Sequence, residues 1–491
     1  MIYALIVIPA AAAILSLMIQ NDRIRRGLLV GAAAAHTLLV LAAWHTGAAP
    51  RINGWLVLDQ PALLFLTITS ILFSACSVYA AGYLAGESGR TIRDFEEGLF
   101  FRNAPEAVFC ACLLAFLATM TLTALSQHLA LLWVAMEATT LASAPLIYFH
   151  RHHRSLEAAW KYLLICSVGI ALALLGTFFI GIAVSHTSVE DKSLVLSNLI
   201  QQGNRLNLTW LKAAMLLTLV GYGTKMGLAP LHTWLPDAHS ESPSVISALL
   251  SGALLNCAFL GILRIVQVCR AAGLEDFYQP LLILFGLLSM GWAAVFILGQ
   301  ADFKRMLAYS SVEHVGILAL GIGIGAGAVF GSMLHAVNHS LTKAMLFLAA
   351  GNILGAFKTK TISQVSGVLE RLPLTGILWL AGFLAITGMP PFGLFLSEFA
   401  IVKAMIEQGR FGAAAAFLGV LTLIFAGMAS AFLKMAQGPA PQGKAETPHP
   451  ESFTHVLPPL ALGVLTLLLG VYVPPVVSRL LHEAAAAFGG F

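Results

Sequence analysis

Two ionisable residues lie inside segments that are otherwise apolar enough to cross a bilayer. Glu137 interrupts LALLWVAMEATTLASAPLIY, and Lys225 interrupts LKAAMLLTLVGYGTKMGLAP. A charge near the centre of a membrane-spanning helix is costly, so it is usually paired, buried and placed on an ion pathway. Removal from water weakens proton binding by a lysine, and a nearby carboxylate strengthens it. The two residues therefore predict a paired site that loads and releases a proton.

A second polar set recurs along one helical face. His335, His339 and Lys343 follow one another at intervals of four residues, a spacing that places side chains on the same side of a helix. Histidine suits a proton relay because its unperturbed pKa lies near neutral pH. The spacing predicts that all three side chains line one aqueous path.

The elements that position these residues are membrane helices. Of the 491 residues, 58% are hydrophobic and 10% are charged, whereas a soluble domain has about a quarter of its residues charged. We expect an all-α membrane protein with about fourteen spans of roughly 20 residues each. The first span has no basic residue before it, which favours a helix over a cleaved signal peptide. The candidate spans are residues 1–19, 27–45, 60–81, 105–125, 129–148, 158–184, 211–229, 243–268, 281–300, 311–330, 331–356, 374–406, 412–435 and 455–476.

Lysine and arginine in the loops predict the orientation, because cytoplasmic loops carry an excess of both. The loops after odd-numbered spans are rich in them: Arg23, Arg25, Arg26, Arg90, Arg93, Arg102, Arg151, Arg154, Lys304, Arg305, Lys358, Lys360, Arg371 and Lys444. The loops after even-numbered spans hold Arg51, Lys192, Arg205, Arg270 and Arg410. Odd loops are therefore expected in the cytoplasm and both termini on the opposite side. The net charge of +4 reflects this topology and does not indicate nucleic-acid binding.

Two proline-containing interruptions organise the chain. MGLAPLHTWLP (Met226 to Pro236) ends the seventh span, and GMPPFG (Gly388 to Gly393) cuts the twelfth span in half. Proline breaks a helix, and a bilayer tolerates the break only where protein or water satisfies the freed backbone groups. Broken helices at corresponding places in two halves point to a transport site built on inverted repeats. The polar, proline-rich stretch 437–452 is expected to be a cytoplasmic loop before the last span.

The sequence contains no motif for iron-sulfur, zinc or phosphate binding. The six cysteines lie within or beside apolar spans and form no Cys-x-x-Cys pair, so iron-sulfur and zinc ligation have no spacing to support them. The GIGIGAG run lies in an apolar segment and does not resemble a phosphate-binding loop. The HRHHR run (His150 to Arg154) fits a topology anchor at a cytoplasmic span end better than a metal tract. We therefore expect neither a cofactor nor a metal in this chain.

Four segments resemble the antiporter-like family of membrane subunits. They are LLWVAMEATTLASAPLI, GYGTKMGLAPLHTWLPDAHSESPSVISALLSG, HAVNHSLTKAMLFLAAGNI and GMPPFGLFLSEF, within a match over roughly residues 105–435. That family includes proton-pumping subunits of respiratory complex I, subunits of multisubunit cation/proton antiporters, and relatives in group 4 membrane-bound hydrogenases. The segments LLSGALLN and GMPPFGLFLSEF are most similar in sequence to the F-type subunits of hydrogenase-4 and formate hydrogenlyase.

The resemblance implies both an architecture and residue roles. It implies fourteen helices, divided into an N-terminal unit (1–104), a five-helix repeat (105–270), an inverted copy (271–435) and a last unit (436–491). The implied proton relay pairs Glu137 with a titrating Lys225, continues through the central His335, His339 and Lys343, and ends at Glu398. One position departs from the family pattern. Members usually have lysine or histidine where this chain has Asn256, so an amide or water must continue the path there.

Several alternatives stay open. The relay residues could be structural polar contacts between helices, and the loop residues His232, Asp237, His239 and Glu241 could either load protons or cap a helix. The first reading is a proton- or sodium-translocating subunit in a bacterial inner membrane, beside other membrane subunits, lipid and a redox arm with iron-sulfur and nickel-iron subunits. The competing readings are a complex I or antiporter subunit, and a non-pumping subunit that scaffolds a complex or supports inorganic-carbon uptake.

Overall fold

The fold is almost entirely helical in the computed structural model, which describes residues 1–46, 52–87, 91–93, 98–185, 192–438 and 451–490. In chain order the α-helices are α1 (Ile2–Met18), α2 (Asp22–Thr46), α3 (Gln60–Glu87), α4 (Glu106–Leu125), α5 (Leu129–Ile147), α6 (His153–Ser185), α7 (Leu196–Gln201), α8 (Leu208–Met226), α9 (Leu235–Glu241), α10 (Ser244–Leu249), α11 (Leu255–Ala271), α12 (Glu275–Ile297), α13 (Phe303–Ile324), α14 (Gly327–Phe357), α15 (Val368–Arg371), α16 (Pro373–Ile386), α17 (Gly393–Glu407), α18 (Phe411–Ala436), α19 (Phe453–Val471) and α20 (Pro475–Ala486).

Short elements complete the architecture. A π-helical turn, Leu250–Leu254, joins α10 to α11, and 3₁₀ turns occupy Gly203–Arg205 and Ile362–Gln364. Two short antiparallel strands, Thr91–Arg93 and Phe100–Arg102, pair with Thr91 opposite Arg102. Most of the predicted loop 437–452, together with Arg51, Arg90 and Lys444, lies outside the described residues.

The protein is a multi-pass membrane protein. In the described ranges, 11 helical segments are long and apolar enough to cross a bilayer, counting α10 to α11 as one continuous segment. Two further apolar helices, α1 and α16, are shorter. Both predicted breaks are confirmed. The helix that carries Lys225 ends at Met226, and the twelfth predicted span divides into α16 and α17.

The boundary between the tenth and eleventh spans differs from the prediction. The chain breaks at Gly325 and Ala326 rather than after residue 330, and α13 begins at Phe303 rather than at residue 311. Lys304, predicted to be a loop residue, is therefore in the first turn of a helix and only 1% exposed. Its Nζ donates hydrogen bonds to the carbonyl oxygens of Ser240 (3.1 Å) and Ser242 (2.6 Å). Protein carbonyls replace water around this ammonium, which loop assignment from charge could not anticipate.

The core of the bundle lies around α14. This helix packs against α10, α13, α16, α17 and α19, and its inward residues are buried almost without exception from Gly331 to Ala350. The helix that carries Lys225 is held closely to α6 by glycine. A Cβ on Gly221 would lie 2.6 Å from the carbonyl oxygen of Gly169, so any larger residue would force the two backbones apart.

The end of α8 follows from local chemistry. Gly227, at φ 88°, takes the left-handed conformation and donates its N–H back to the carbonyl of Gly223. Glycine adopts this conformation without a Cβ penalty, so it commonly ends helices. The start of α8 is capped by the Asn207 side chain, which accepts hydrogen bonds from the backbone N–H groups of Thr209 and Trp210. The Asn207 cap and the glycine at position 227 mark the two ends of α8, so Lys225 lies in its last turn.

Candidate functional site

Lys225 lies in a polar pocket made by three helices. The side chain is fully buried, and Nζ donates hydrogen bonds to the hydroxyl of Thr140 on α5 (2.6 Å) and to that of Tyr162 on α6 (2.8 Å). The Tyr162 hydroxyl also lies 2.7 Å from the Ser143 hydroxyl. A buried ammonium needs such hydrogen bonds to replace its lost hydration.

The pairing predicted for Glu137 and Lys225 is not a direct ion pair in the structure. Instead, Thr140 lies between them: its hydroxyl accepts from Lys225 Nζ and donates to Glu137 Oε2 at 3.3 Å. Glu137 is partly exposed, and its Oε1 accepts from the hydroxyl of Ser167 on α6 at 2.8 Å. The two charges are therefore coupled through one hydroxyl, which accepts one hydrogen bond and donates another.

Asn256 is the next polar residue between the Lys225 pocket and the centre of the helix bundle. Lys225 is within electrostatic range of Cys257, the neighbour of Asn256 on α11. The Asn256 amide donates to the Gly252 carbonyl (2.9 Å) and to the Ser340 hydroxyl on α14 (2.7 Å). Its Oδ1 has no hydrogen-bond partner among the described protein atoms. Asn256 also follows the π-helical turn, an irregularity often found at functional sites.

Lys343 is the central cation on α14. Its side chain is fully buried, and Nζ donates to the carbonyl oxygen of Leu307 on α13 at 2.6 Å. Glu313, also on α13 and 1% exposed, lies within electrostatic range of Lys343. Glu313 was not among the predicted site residues, although Glu313 carries the same signal as Glu137, a carboxylate inside an apolar span.

Three histidines meet beside this lysine. His335 and His339 share one face of α14, as their spacing predicts, with parallel rings whose centroids are 6.3 Å apart. His314 of α13, which the sequence analysis missed, lies opposite them: its Nδ1 is 3.0 Å from His335 Nε2, and its ring centroid is 4.9 Å from that of His339. His335 Nδ1 is hydrogen-bonded to the hydroxyl of Ser397 at 2.9 Å. The cluster therefore joins α13, α14 and α17.

Glu398 lies next to the histidines, in the second turn of α17 after the break between α16 and α17. It is 7% exposed, and a ligand atom of its carboxylate lies within 4.8 Å of ligand atoms of His314 and His335. Gly388, at φ 64°, leaves room for it, since a Cβ there would be 2.1 Å from Glu398 Oε2. The break therefore gives Glu398 its place in the cluster.

Several buried polar atoms of these residues have no hydrogen-bond partner among the described protein atoms. Native proteins satisfy such atoms with ordered water, so the arrangement favours a hydrated path over a dry core. The atoms are Asn256 Oδ1, Glu313 Oε2, His314 Nε2, both ring nitrogens of His339, and Glu398 Oε1.

The residues after the seventh span divide into two groups. His239 is fully buried, stacks on Phe347 at 5.1 Å between ring centroids, and lies within electrostatic range of Lys343 and Lys304. Burial lowers the His239 pKa well below its usual value. Asp237, by contrast, forms surface ion pairs with Lys161 (2.8 Å) and Arg305. The structure thus places His239 with the central polar residues and keeps Asp237 away from them.

His232 has a different environment. It is buried, and its ring lies edge-on to Trp292 and Tyr309, at 5.8 Å and 6.2 Å between centroids. Burial lowers its pKa to about 4, so this imidazole is neutral at physiological pH.

A cavity of about 500 Å³ opens near His239. Its wall includes Lys304, Ser240 and the ion pair between Lys360 and Glu241, whose charged atoms are 2.7 Å apart. Ser240, the residue after His239 in the chain, lines this cavity. The polar cavity wall therefore lies next to His239 along the chain.

Comparisons with known proteins agree with this architecture. Residues 126–425 match the family described as NADH:quinone oxidoreductase/Mrp antiporter, TM. The chain is 35% identical to a hydrogenase-4 component F homolog of Methylacidiphilum infernorum, across 86% of each chain. It is 29% identical to NADH-quinone oxidoreductase subunit N of Desulforudis audaxviator, across 88% of this chain and 86% of that one.

A solved structure has the same fold. A chain of the membrane-bound sulfane sulfur reductase, an archaeal respiratory membrane complex, superposes with a TM-score of 0.84 at 22% identity, covering 99% of this chain and 97% of that one. The family match spans more than half of this sequence, and the Methylacidiphilum relative aligns over most of both chains. The chain therefore belongs to the NADH:quinone oxidoreductase/Mrp antiporter family of membrane proteins.

Proposed function

We propose that this chain translocates protons or sodium ions across a membrane, as an integral subunit of a complex I-like redox complex. The observation that carries the proposal is the series of buried ionisable side chains from Lys225, past Asn256, to Lys343, the histidines and Glu398. Each charge of this kind is costly in a membrane helix, and such residues mark ion and proton pathways. Family membership and the name of the 35% identical relative support the same function.

Coupling between charge and motion follows from the hydrogen bonds around Lys225. With its proton, Lys225 donates to Thr140, and Thr140 donates onward to Glu137. A movement of Glu137 away from Thr140 weakens the stabilisation of the ammonium, and the opposite movement restores it. A conformational change elsewhere in a complex can therefore load or empty this site, and proton binding must act on the conformation in return.

The proposed architecture has fourteen membrane spans. The eleven long segments are joined by α1, α8 and the broken pair α16 and α17. Residues 105–270 and 271–435 would form the two inverted five-helix repeats, between an N-terminal unit (1–104) and a last unit (436–491). The loop charges support periplasmic termini in a bacterial inner membrane.

A group 4 membrane-bound hydrogenase is the proposed complex. The support is the name of the Methylacidiphilum relative, and such a complex would bring iron-sulfur and nickel-iron subunits as partners. The proposal places redox chemistry outside this chain, with no cofactor or metal of its own needed for translocation. The relative named as an NADH-quinone oxidoreductase subunit favours a second candidate, in which the same fold serves a complex I.

The test is reconstitution of the purified complex in liposomes. We expect redox turnover to move protons or sodium ions, as followed by a pH-sensitive dye and a sodium indicator inside the vesicles. Identification of the co-purified subunits separates the two complexes, since a nickel-iron subunit supports the first and NADH-oxidising subunits support the second. Redox turnover in ion-tight liposomes without movement of either ion would overturn translocation and leave a structural subunit.

A further inference from the structure

His314, His335 and Glu398 form a ligand set that could hold a metal ion. They come from α13, α14 and α17, all three are buried, and one ligand atom from each lies within 4.8 Å of the others. Bonds from zinc to nitrogen or oxygen are about 2.0–2.2 Å, so two ligands of one ion lie roughly 3–4 Å apart. The nitrogens of His314 and His335 are already 3.0 Å apart. A ligand oxygen of Glu398, within 4.8 Å of a ligand nitrogen of each histidine, would have to move closer to complete the triangle.

A further hydrogen bond orients one of these ligands. The Ser397 hydroxyl accepts from or donates to His335 Nδ1 at 2.9 Å, and Nε2 of the same ring faces His314. Histidines that bind metals almost always use one nitrogen for the ion and the other for such a partner, which fixes the ring orientation. Ser397 therefore performs for His335 the role that a supporting residue has in metal sites.

Buried atoms without a hydrogen-bond partner occur in and beside the same three residues. Glu398 is more than nine-tenths buried, and its Oε1 has no hydrogen-bond partner within the described ranges. His339 is fully buried, has both ring nitrogens unpartnered in that part of the chain, and lies 4.9 Å from His314 between ring centroids. It lies beside the three-ligand set, which does not itself include His339.

The donor types select the class of metal. Two imidazoles and one carboxylate match zinc sites that keep an open position, whereas magnesium and calcium prefer oxygen ligands alone. Glu398 and Glu313, which interact electrostatically, can supply negative charge to offset a divalent ion. Lys343 is the opposing cation near the histidines. Residues 389–391, in the break beside Glu398, are exposed, whereas the cluster itself is buried.

We propose that His314, His335 and Glu398 bind a divalent transition-metal ion of the zinc class, with a fourth position open to water. The bound ion would occupy the nitrogen and oxygen lone pairs that otherwise accept protons. Metal binding is therefore expected to inhibit ion translocation. That consequence rests on the proposed function, whereas the binding itself does not.

The binding test uses the full chain in lipid nanodiscs with Co²⁺ as a spectroscopic probe for zinc. We expect one Co²⁺ per chain by equilibrium dialysis, with the visible d–d absorption of a four-coordinate site, and displacement by Zn²⁺ but not by Mg²⁺. His335→Gln and Glu398→Gln, which keep side-chain size, are expected to abolish this signal. Ser397→Ala should weaken affinity by roughly 10- to 100-fold, as loss of a supporting contact does.

The matched control is His36→Gln. His36 is another fully buried histidine, on α2, hydrogen-bonded to Ser70 and Thr121, and its substitution should leave Co²⁺ binding unchanged. The competing site is the surface HRHHR run, tested with the double variant His152→Gln/His153→Gln. Absence of Co²⁺ binding by the parent would overturn the proposal. So would a Co²⁺ signal that survives His335→Gln and disappears in the double variant.

Transport provides a separate readout. In liposomes, Zn²⁺ should inhibit ion movement by the parent complex at the concentration that displaces Co²⁺. Co²⁺ binding in a complex that moves no ion would leave the metal site standing and overturn the proposed function. Transport that Zn²⁺ does not inhibit, in a chain that binds no Co²⁺, would overturn the metal site and leave the proposed function standing.

Discussion

Replacing Thr140 with valine tests the link between the two charges. Thr140→Val keeps the shape of the side chain but removes the hydroxyl that accepts from Lys225 at 2.6 Å and donates to Glu137 at 3.3 Å. A hydrogen bond to a charged group contributes about 1.5–3 kcal/mol. Because about 1.4 kcal/mol corresponds to a tenfold change in rate, we expect ion transport to fall by about 10- to 100-fold. The assay is ion movement by the reconstituted complex, with redox turnover and subunit content measured in parallel.

The neighbouring residue supplies a matched control. Thr139 is also fully buried on α5, but its hydroxyl donates only to the carbonyl of Met136 in its own helix. Thr139→Val should therefore lose a comparable amount of stability and keep near-parent transport. If Thr140→Val assembles and transports at the parent rate, the hydroxyl does not connect Glu137 to Lys225. If both variants lose transport equally, the effect belongs to helix packing.

Three further predictions concern the proposed relay and the orientation of the chain in the membrane. Lys225→Ala and Glu137→Gln should reduce pumping in an assembled complex, and Lys225→Arg should also fail because a guanidinium keeps its proton at any working pH; parent-rate pumping by all three would make both charges structural. A cysteine introduced at 151–154 should resist an impermeant reagent in intact spheroplasts, and labelling there would reject the predicted orientation. Ordered water should be found beside Asn256 in a high-resolution experimental structure, because its amide oxygen lacks a described protein partner; tight apolar packing on both sides would exclude a lateral route.

Local sequence was sufficient for the membrane class and for much of the helical layout. The length of an apolar run and the position of proline are properties of neighbouring residues, so the C-terminal end of α8 and the division between α16 and α17 followed from the residues themselves. The interval of four residues likewise placed His335 and His339 on one face of α14. The N-terminus of α13 was misplaced because Lys304 looked like a loop residue when only its charge was considered.

The partners of each buried charge depended on the tertiary structure. Thr140 and Tyr162, which bind Lys225, belong to two other helices, and nothing in their local sequence distinguishes them from packing residues. His314 became part of the histidine cluster only because α13 packs against α14 at that height. Apolar periodicity determines which face of a helix is buried, but the choice of neighbouring helix and its vertical register comes from the packing of the whole bundle. For that reason the sequence alone determined a membrane protein with costly internal charges, and the assembled helices decided which of those charges communicate.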